Sequence, residues 1–363
     1  MNPILIRTES TCICVSALES DCGLKGRRRG HSVPGPGPNS ECSARLWKHA
    51  ARAIPRAFTV VELIVAISII ALLIALIVPA VQSAREAARA ARCKNNIRQL
   101  VLAMQTYESA HQVYPVNYGK GPFTVESIGA SWMQLILPNV DQGSLYASLR
   151  FGMPLSETAN TAAAQSVVPV FLCPSDGNGT MTFRDNIPGL WAINNYKACA
   201  GSNWNWGPFS PTVSAIGRNA NDPDGLDHGN GIIWRGYLGG AGTKAAGPGG
   251  QSPATRVVDI RDGLSQTFAV GESVPEWCRH TWWYWFNGTT ATCAIPLNFK
   301  KQPDLQVAFE GNWPENYSFL SRHNGGANFG MADGSVRFVS ELIDLQLYRR
   351  LATIQAGETI GAF

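Results

Sequence analysis

A run of apolar residues is the strongest hydropathy pattern in the chain. Residues 63–81 hold 19 positions, of which Ser68 is the only polar one. At 1.5 Å per residue such a helix spans roughly 30 Å, the thickness of membrane hydrocarbon. The alternative is a helix buried in a soluble core, but core helices rarely stay apolar on every face for this length. The pattern therefore predicts a transmembrane helix over 63–81.

The helical pattern continues beyond this run. Pro79 removes one backbone donor, which predicts a kink near the far membrane face. Residues 82–111 then place apolar side chains three to six positions apart with basic residues between them, as in an amphipathic helix. We expect one helix of about 80 Å at 1.5 Å per residue, half in the membrane and half docked on a head.

The amino-acid composition of the sequence changes after Pro115. Residues 112–339 are rich in Gly, Pro, Asn and Trp, with short apolar runs bounded by turn residues. These runs predict strands of an antiparallel sheet with long loops, at 132–137, 167–172, 231–234, 267–270 and 281–286. Ser340 is expected to cap a last helix that Gly357 ends. The predicted fold class is α+β, with a long N-terminal helix packed on a β-rich head.

Charge separates the N-terminal segment from the rest. The chain has 363 residues and a formal net charge of +4, with 45% apolar and 15% charged residues. Residues 1–57 carry five more basic than acidic residues, so the remainder is nearly neutral and nucleic acid is a poor candidate partner. We interpret 1–57 as a leader, 58–111 as the helix and 112–363 as the head. Alternatively, the start codon has been placed too far upstream, and the true leader is shorter.

The residues at the start of the helix resemble the processing signal of type IV prepilins and pseudopilins. In that family a peptidase cuts just before a Phe, methylates the new N-terminus and leaves a Glu at the fifth mature position. Phe58 and Glu62 match, whereas Ala57 stands where the family usually has Gly. The resemblance implies cleavage between Ala57 and Phe58. A carboxylate in hydrocarbon costs about 2.5–3.5 kcal/mol, so Glu62 needs a positive partner.

Segments of the head resemble a bacterial family of pilin-like proteins, the domain of unknown function 1559. Its hallmark is a His followed after nine residues by Asp-Gly, here His323 and Asp333-Gly334. The resemblance covers about 57–358, but it implies no known activity. The other matching segments are 93–100, 132–146, 171–176, Asn195-Tyr196, Asp262 to Ser265 and Gly271-Glu272.

The His323 and Asp333 pair has two interpretations. Both side chains are common metal ligands and catalytic groups. However, the flanking residues are strand-like, and Asp333-Gly334 has the composition of a two-residue type I′ hairpin turn. The local pattern favours a structural turn over a site.

Three further features complete the candidate chemistry. Asp222, Asp224 and Asp227 cluster on a Gly-bearing loop, which makes calcium a candidate ligand, although a solvated turn is the plainer interpretation. The aromatic run 281–286 is either a glycan-binding face or core. Five cysteines follow residue 57, enough for one or two disulfides if the head lies outside the cytoplasm. Cys278 and Cys293 are the nearest pair in sequence, but the sequence leaves the connectivity open.

These observations lead to two hypotheses of function. The first is a pilin or pseudopilin-like structural subunit, cut by a prepilin peptidase and assembled with other subunits into a type IV pilus-like filament or a type II secretion pseudopilus. The resemblance implies a single pass through the inner membrane, with the N-terminus cytoplasmic and the head periplasmic or at the cell surface. The second is a membrane-tethered module that binds glycan or calcium. No common catalytic motif is present, so we do not expect an enzyme.

Overall fold

The structure is a computed structural model, and it describes residues 58–177, 179–184, 187–210, 212–238, 254–278, 280–299 and 313–357. The chain divides into two units, Met1–Leu63 and Ile64–Phe363. The leader predicted over 1–57, including Ala57 at the cleavage position, lies outside the described residues.

The first element is a helix of 52 residues, α1, which spans Val60–His111. The large apolar side chains from Phe58 to Val81 are 43–72% exposed. Within the described residues, α1 alone is long and apolar enough to cross a membrane. The helix continues through Pro79, and the kink expected there stays a prediction.

The second half of α1 packs into the head. Its buried side chains recur at helical spacing and form one face, comprising Cys93, Ile97, Leu100, Val101 and Met104. This face lies against a strand at Gly330, where side chains of the helix lie directly over the backbone of the strand. A Cβ atom added to Gly330 would lie 2.5 Å from Val101 Cγ2 and 2.8 Å from Ile97 Cγ2. A side chain at this position would therefore push the helix and the sheet apart.

The head is built around a five-stranded sheet in the order β10-β9-β7-β5-β8. All neighbours in it are antiparallel except β5 and β8, which are parallel. A three-stranded sheet (β2-β1-β6) and a hairpin (β3-β4) accompany it. The strands are β1 Tyr118–Lys120, β2 Ile128–Ala130, β3 Met181–Arg184, β4 Ile187–Ala192, β5 Tyr196–Cys199, β6 Tyr237–Leu238, β7 Phe268–Glu272, β8 Thr290–Ala291, β9 Gly326–Met331 and β10 Val336–Ser340.

Short helical turns connect the strands. The α-helices after α1 are α2 Trp132–Leu135, α3 Gly143–Ser148, α4 Thr158–Ala164 and α5 Leu345–Arg350. The 3₁₀ turns are Leu137–Val140, Pro169–Phe171, Gly207–Phe209, Val257–Asp259, Leu264–Gln266, Phe286–Gly288 and Trp313–Tyr317. The α+β fold predicted from the sequence, with a long N-terminal helix and a β-rich head, is confirmed.

Several local predictions were wrong. Of the five apolar runs expected to be strands, the run at 267–270 largely falls in β7, whereas those at 132–137 and 167–172 contain helical turns. Ser131 explains the first of these, because its side chain accepts a hydrogen bond from the backbone N–H of Gln134 and starts α2. At the other end of the chain, Asp344 rather than Ser340 caps the last helix.

Candidate functional site at the junction of helix and head

A disulfide joins α1 to the head. Cys93 on the buried face of the helix bonds to Cys173, which follows the 3₁₀ turn Pro169–Phe171, with a Cα–Cα distance of 4.9 Å. Cys278 and Cys293, the nearest pair in sequence, are both free cysteines. Cys278 Sγ lies 3.1 Å from Lys197 Nζ, whereas Cys293 Sγ lies 4.0 Å from the sulfur of another free cysteine. Nearness in sequence does not identify the bonded pair here, because each of these two cysteines lies in a separate buried contact.

A buried ion pair lies against this disulfide. His323 Nε2 is 3.1 Å from Glu272 Oε1 and 3.8 Å from Cys173 Sγ. Glu272 ends β7, and His323 lies three residues before β9, so the central sheet brings the two side chains together. Both are nearly excluded from solvent.

The carboxylate of Glu272 is fully engaged by donors. Its Oε2 atom accepts hydrogen bonds from Ser321 Oγ and from the Asn328 backbone N–H, both at 2.8 Å. Its Oε1 atom accepts one from Asn328 Nδ2 at 3.1 Å. A buried charge is tolerated when donors and an opposite charge surround it, as they do here.

A second polar layer encloses the pair on the side of Cys173. Asp176 accepts from Arg322 Nε and from Asn195 Nδ2, both at 2.8 Å. Asn195 Oδ1 in turn accepts from the Cys173 backbone N–H at 2.9 Å. Arg322 also forms an ion pair with Glu276. These contacts fix the loop that carries Cys173 against the strands.

The charges around His323 decide its protonation. Burial by itself lowers the pKa of an imidazole, but the hydrogen bond to Glu272, the charge of that carboxylate and the charge of Glu86 on α1 together raise the pKa of His323 above its usual value. The pair therefore favours imidazolium facing carboxylate. Glu86 is itself tied to the head, because its Oε1 accepts from Ser175 Oγ at 2.9 Å.

This site gathers segments that are far apart in the sequence. Asn96 Nδ2, from the segment that starts at Cys93, donates to the Leu172 carbonyl at 2.8 Å, and the Tyr196 hydroxyl lies 3.4 Å from the Cys93 carbonyl oxygen. Glu272 and His323 each come from a further segment. Five of the segments quoted from the sequence for their resemblance to one family therefore meet at one buried junction.

A model of the family of proteins of unknown function DUF1559 matches residues 82–346. The chain belongs to the DUF1559 family. No curated protein and no solved structure matches it. The match to the DUF1559 family covers the second half of α1 and most of the head.

Asp333-Gly334 of this DUF1559 protein forms the turn of a hairpin. It lies between β9 and β10, and Asp333 Oδ1 accepts from the backbone N–H and the hydroxyl of Ser335. The turn differs from the type I′ turn we predicted, since Gly334 has φ +90° and Asp333 is not among the residues with positive φ. Gly334 N–H donates to Met331 O, as in a three-residue loop with a glycine bulge. Gln105 Nε2 on α1 donates to Ala332 O, so the turn also docks the helix.

The three aspartates considered for calcium each contact a protein partner. Asp222 Oδ2 lies 2.8 Å from His228 Nδ1, Asp227 pairs with Arg235, and Asp224 accepts from the Asp227 backbone N–H. Each carboxylate is thus oriented towards a protein partner, and calcium binding by this loop stays a prediction.

The aromatic run of the DUF1559 head is core. Trp282, Trp283, Trp285 and Phe286 are all buried, and the rings of Trp282 and Trp285 stack at 5.0 Å. Burial of both faces of this segment removes it as a glycan-binding face.

Sequence reasoning missed Glu272 as a site residue, along with the pairing of Cys93 with Cys173. The available signal was indirect. Four of the family segments contribute Cys93, Cys173, Glu272 and His323, but only the folded chain shows that these four residues meet.

Proposed function

We propose that this DUF1559 protein is a pilin- or pseudopilin-like structural subunit. A prepilin peptidase cleaves it between Ala57 and Phe58 and methylates Phe58. The mature subunit is held in the inner membrane by α1, with a cytoplasmic N-terminus and a head in the periplasm or at the cell surface. It assembles with other subunits into a filament or a secretion pseudopilus and has no catalytic role.

The main support for this proposal is the difference in exposure between the two parts of α1. Its first part exposes apolar side chains on every face, as lipid or the helices of neighbouring subunits require. Its second part buries the face around Ile97 and Val101 in the head and is linked to it through Cys93. A helix that is both anchor and docking element suits packing of helices into a filament.

Glu62 supports assembly by its position and its contacts. Its Oε2 accepts from the backbone N–H and the hydroxyl of Thr59, both at 2.9 Å, and Thr59 Oγ1 accepts from the Glu62 N–H at 3.2 Å. This reciprocal arrangement is a capping box that starts α1. In the membrane the carboxylate also needs a counter-charge. Cleavage creates one, because the new amine of Phe58 in a neighbouring subunit can pair with Glu62.

The capping role and the charge of Glu62 can be separated by experiment. A glutamine can keep the capping box but carries no charge, whereas a valine loses both. We expect Glu62→Val and Glu62→Gln both to insert into the membrane and both to lose recovery of crosslinked multimers in the sheared fraction from the native host. Glu108→Gln, on the same helix beyond the span, is the matched control and should assemble as the wild type does.

Each other outcome has a defined meaning. If Glu62→Gln assembles normally and Glu62→Val does not, capping rather than charge is required, and pairing with a Phe58 amine is refuted. If both variants yield as many multimers as the wild type, the subunit hypothesis fails and a tethered binding module takes its place.

Processing is tested separately by intact-mass and N-terminal analysis of the native protein. We expect a mature chain that begins with N-methylated Phe58. Peptides from residues 1–45 in the mature membrane-bound protein would contradict the cleavage. Their absence from the precursor as well would indicate a start codon downstream of Met1.

A further inference from the structure

Four potential metal ligands converge beside the helix–head disulfide. They are the sulfurs of Cys93 and Cys173, His323 Nε2 and a carboxylate oxygen of Glu272, and all lie within 4.8 Å of one another. All four residues are buried. In the part of the chain that the structure describes, no other group of three or more such residues comes this close.

We propose that the dithiol form of this junction binds a zinc ion through Cys93, Cys173, His323 and Glu272. Thiolate, imidazole and carboxylate are the ligands that zinc takes in proteins, in sets of four. The disulfide form and the zinc form exclude each other, since a sulfur engaged in a disulfide is not a thiolate.

The distances fit a tetrahedral ion. Zinc bonds of about 2.3 Å to sulfur and about 2.0 Å to nitrogen or oxygen separate a sulfur–nitrogen pair by about 3.6 Å and a nitrogen–oxygen pair by about 3.3 Å. The corresponding distances from His323 Nε2 are 3.8 Å to Cys173 Sγ and 3.1 Å to Glu272 Oε1. The two sulfurs must move apart, to about 3.8 Å. Reduction of their bond permits that movement.

The surroundings already hold two of the ligands in place. Ser321 and Asn328 orient the Glu272 carboxylate through three hydrogen bonds, and Asn195 holds the Cys173 backbone N–H. Partners of this kind fix the orientation of metal ligands and raise affinity. A groove of about 750 Å³ lined by Cys173 and Asp176 offers a route to the sulfur.

Reduction of the disulfide before zinc binding requires a reductant, which we take to be a dithiol. An external dithiol breaks the bond between the two sulfurs, each of which gains a proton, and the dithiol becomes a disulfide. Zinc then displaces both thiol protons and the proton of the His323 imidazolium. Two thiolates and one carboxylate around the ion leave a single negative charge on the site.

Zinc would preserve the attachment of α1 to the head when the disulfide is absent. Cys93 is on the helix, whereas the other three ligands belong to the head, so either the S–S bond or the metal joins the two. This role concerns the head alone and does not depend on filament assembly.

The test uses the full-length protein in detergent, with zinc measured by mass spectrometry of the metal after gel filtration. We expect one zinc ion per chain after reduction with a phosphine and none in the oxidised protein. His323→Ala and Glu272→Gln should each weaken binding about tenfold or more. The double variant Cys93→Ser/Cys173→Ser should bind none, whereas Cys278→Ser, a matched buried cysteine, should bind as the wild type does.

Cobalt binding by the wild-type protein tests the proposed site even if one of the variants fails to fold. Reduced wild-type protein with Co²⁺ should show a thiolate-to-metal charge-transfer band and the visible absorption of a tetrahedral site. Absence of that band, zinc retained by the oxidised protein, or zinc lost in Cys278→Ser would each overturn the assignment.

Discussion

Loss of the Cys93–Cys173 disulfide should destabilise the head by several kcal/mol. The two cysteines are 80 residues apart in sequence, so the bond closes a long loop in the unfolded chain. In the chain-entropy model, a loop of this length corresponds to about 4.5 kcal/mol of free energy of unfolding at 25 °C. This is a large share of the 5–15 kcal/mol typical of a whole domain.

Urea unfolding with and without a phosphine reductant measures this contribution. Both samples contain a chelator, so that no metal replaces the disulfide in the reduced protein. Trp282 and Trp283 are buried, and tryptophan fluorescence therefore reports unfolding of the head. With a slope of about 2–3 kcal/mol per M for a head of this size, the midpoint should fall by about 2 M urea.

The double variant Cys93→Ser/Cys173→Ser is the matched control. Its midpoint should equal that of the reduced wild type and should not respond to the reductant. A fall of less than about 0.4 M in the wild type, equivalent to about 1 kcal/mol, would refute the reasoning. It would mean that the two sulfurs are unbonded or that the unfolded chain is already compact around them.

Three further perturbations probe the helix–head junction. Gly330→Ala should lower the free energy of unfolding by about 1–3 kcal/mol, because the new Cβ overlaps Val101, and Val101→Ala in the same chain should recover part of the loss. Gly334→Val should cost about 1–3 kcal/mol, because it forces a β-branched residue to φ +90°. In the oxidised protein, the raised pKa of His323 adds stability that is complete below pH about 6.5 and is lost as the pH rises through that raised pKa. His323→Gln should remove this part of the pH dependence. Urea unfolding measures all three effects.

Each prediction has an outcome that contradicts it. Equal stability of Gly330→Ala and the wild type would show that the helix can move off β9 without cost. Gly334→Val as stable as Gly334→Asn, whose side chain tolerates positive φ, would remove the argument from strain. A pH dependence that persists unchanged in His323→Gln would assign the titration to another group.

The membrane-type helix and the class of the fold could be read from the sequence. An uninterrupted apolar run is local information, and the helical spacing beyond Pro79 is local as well, so both can be recognised without the rest of the chain. The α+β class followed in the same way, from the contrast between the long helix and the short runs separated by turn residues. The Asp333-Gly334 hairpin was recognisable because Asp-Gly between two strand-like segments is a typical turn composition.

The tertiary structure alone decided the remainder. Short apolar runs such as 132–137 suit a strand and a buried helical turn equally well. The capping contact from Ser131 favours the helical turn in this case. The junction at Cys93, Cys173, Glu272 and His323 unites residues from α1, a loop, β7 and the approach to β9. No periodicity encodes contacts between such distant segments. They arise when the helix and the sheet bury their apolar faces together, and that packing places the sulfurs beside the ion pair.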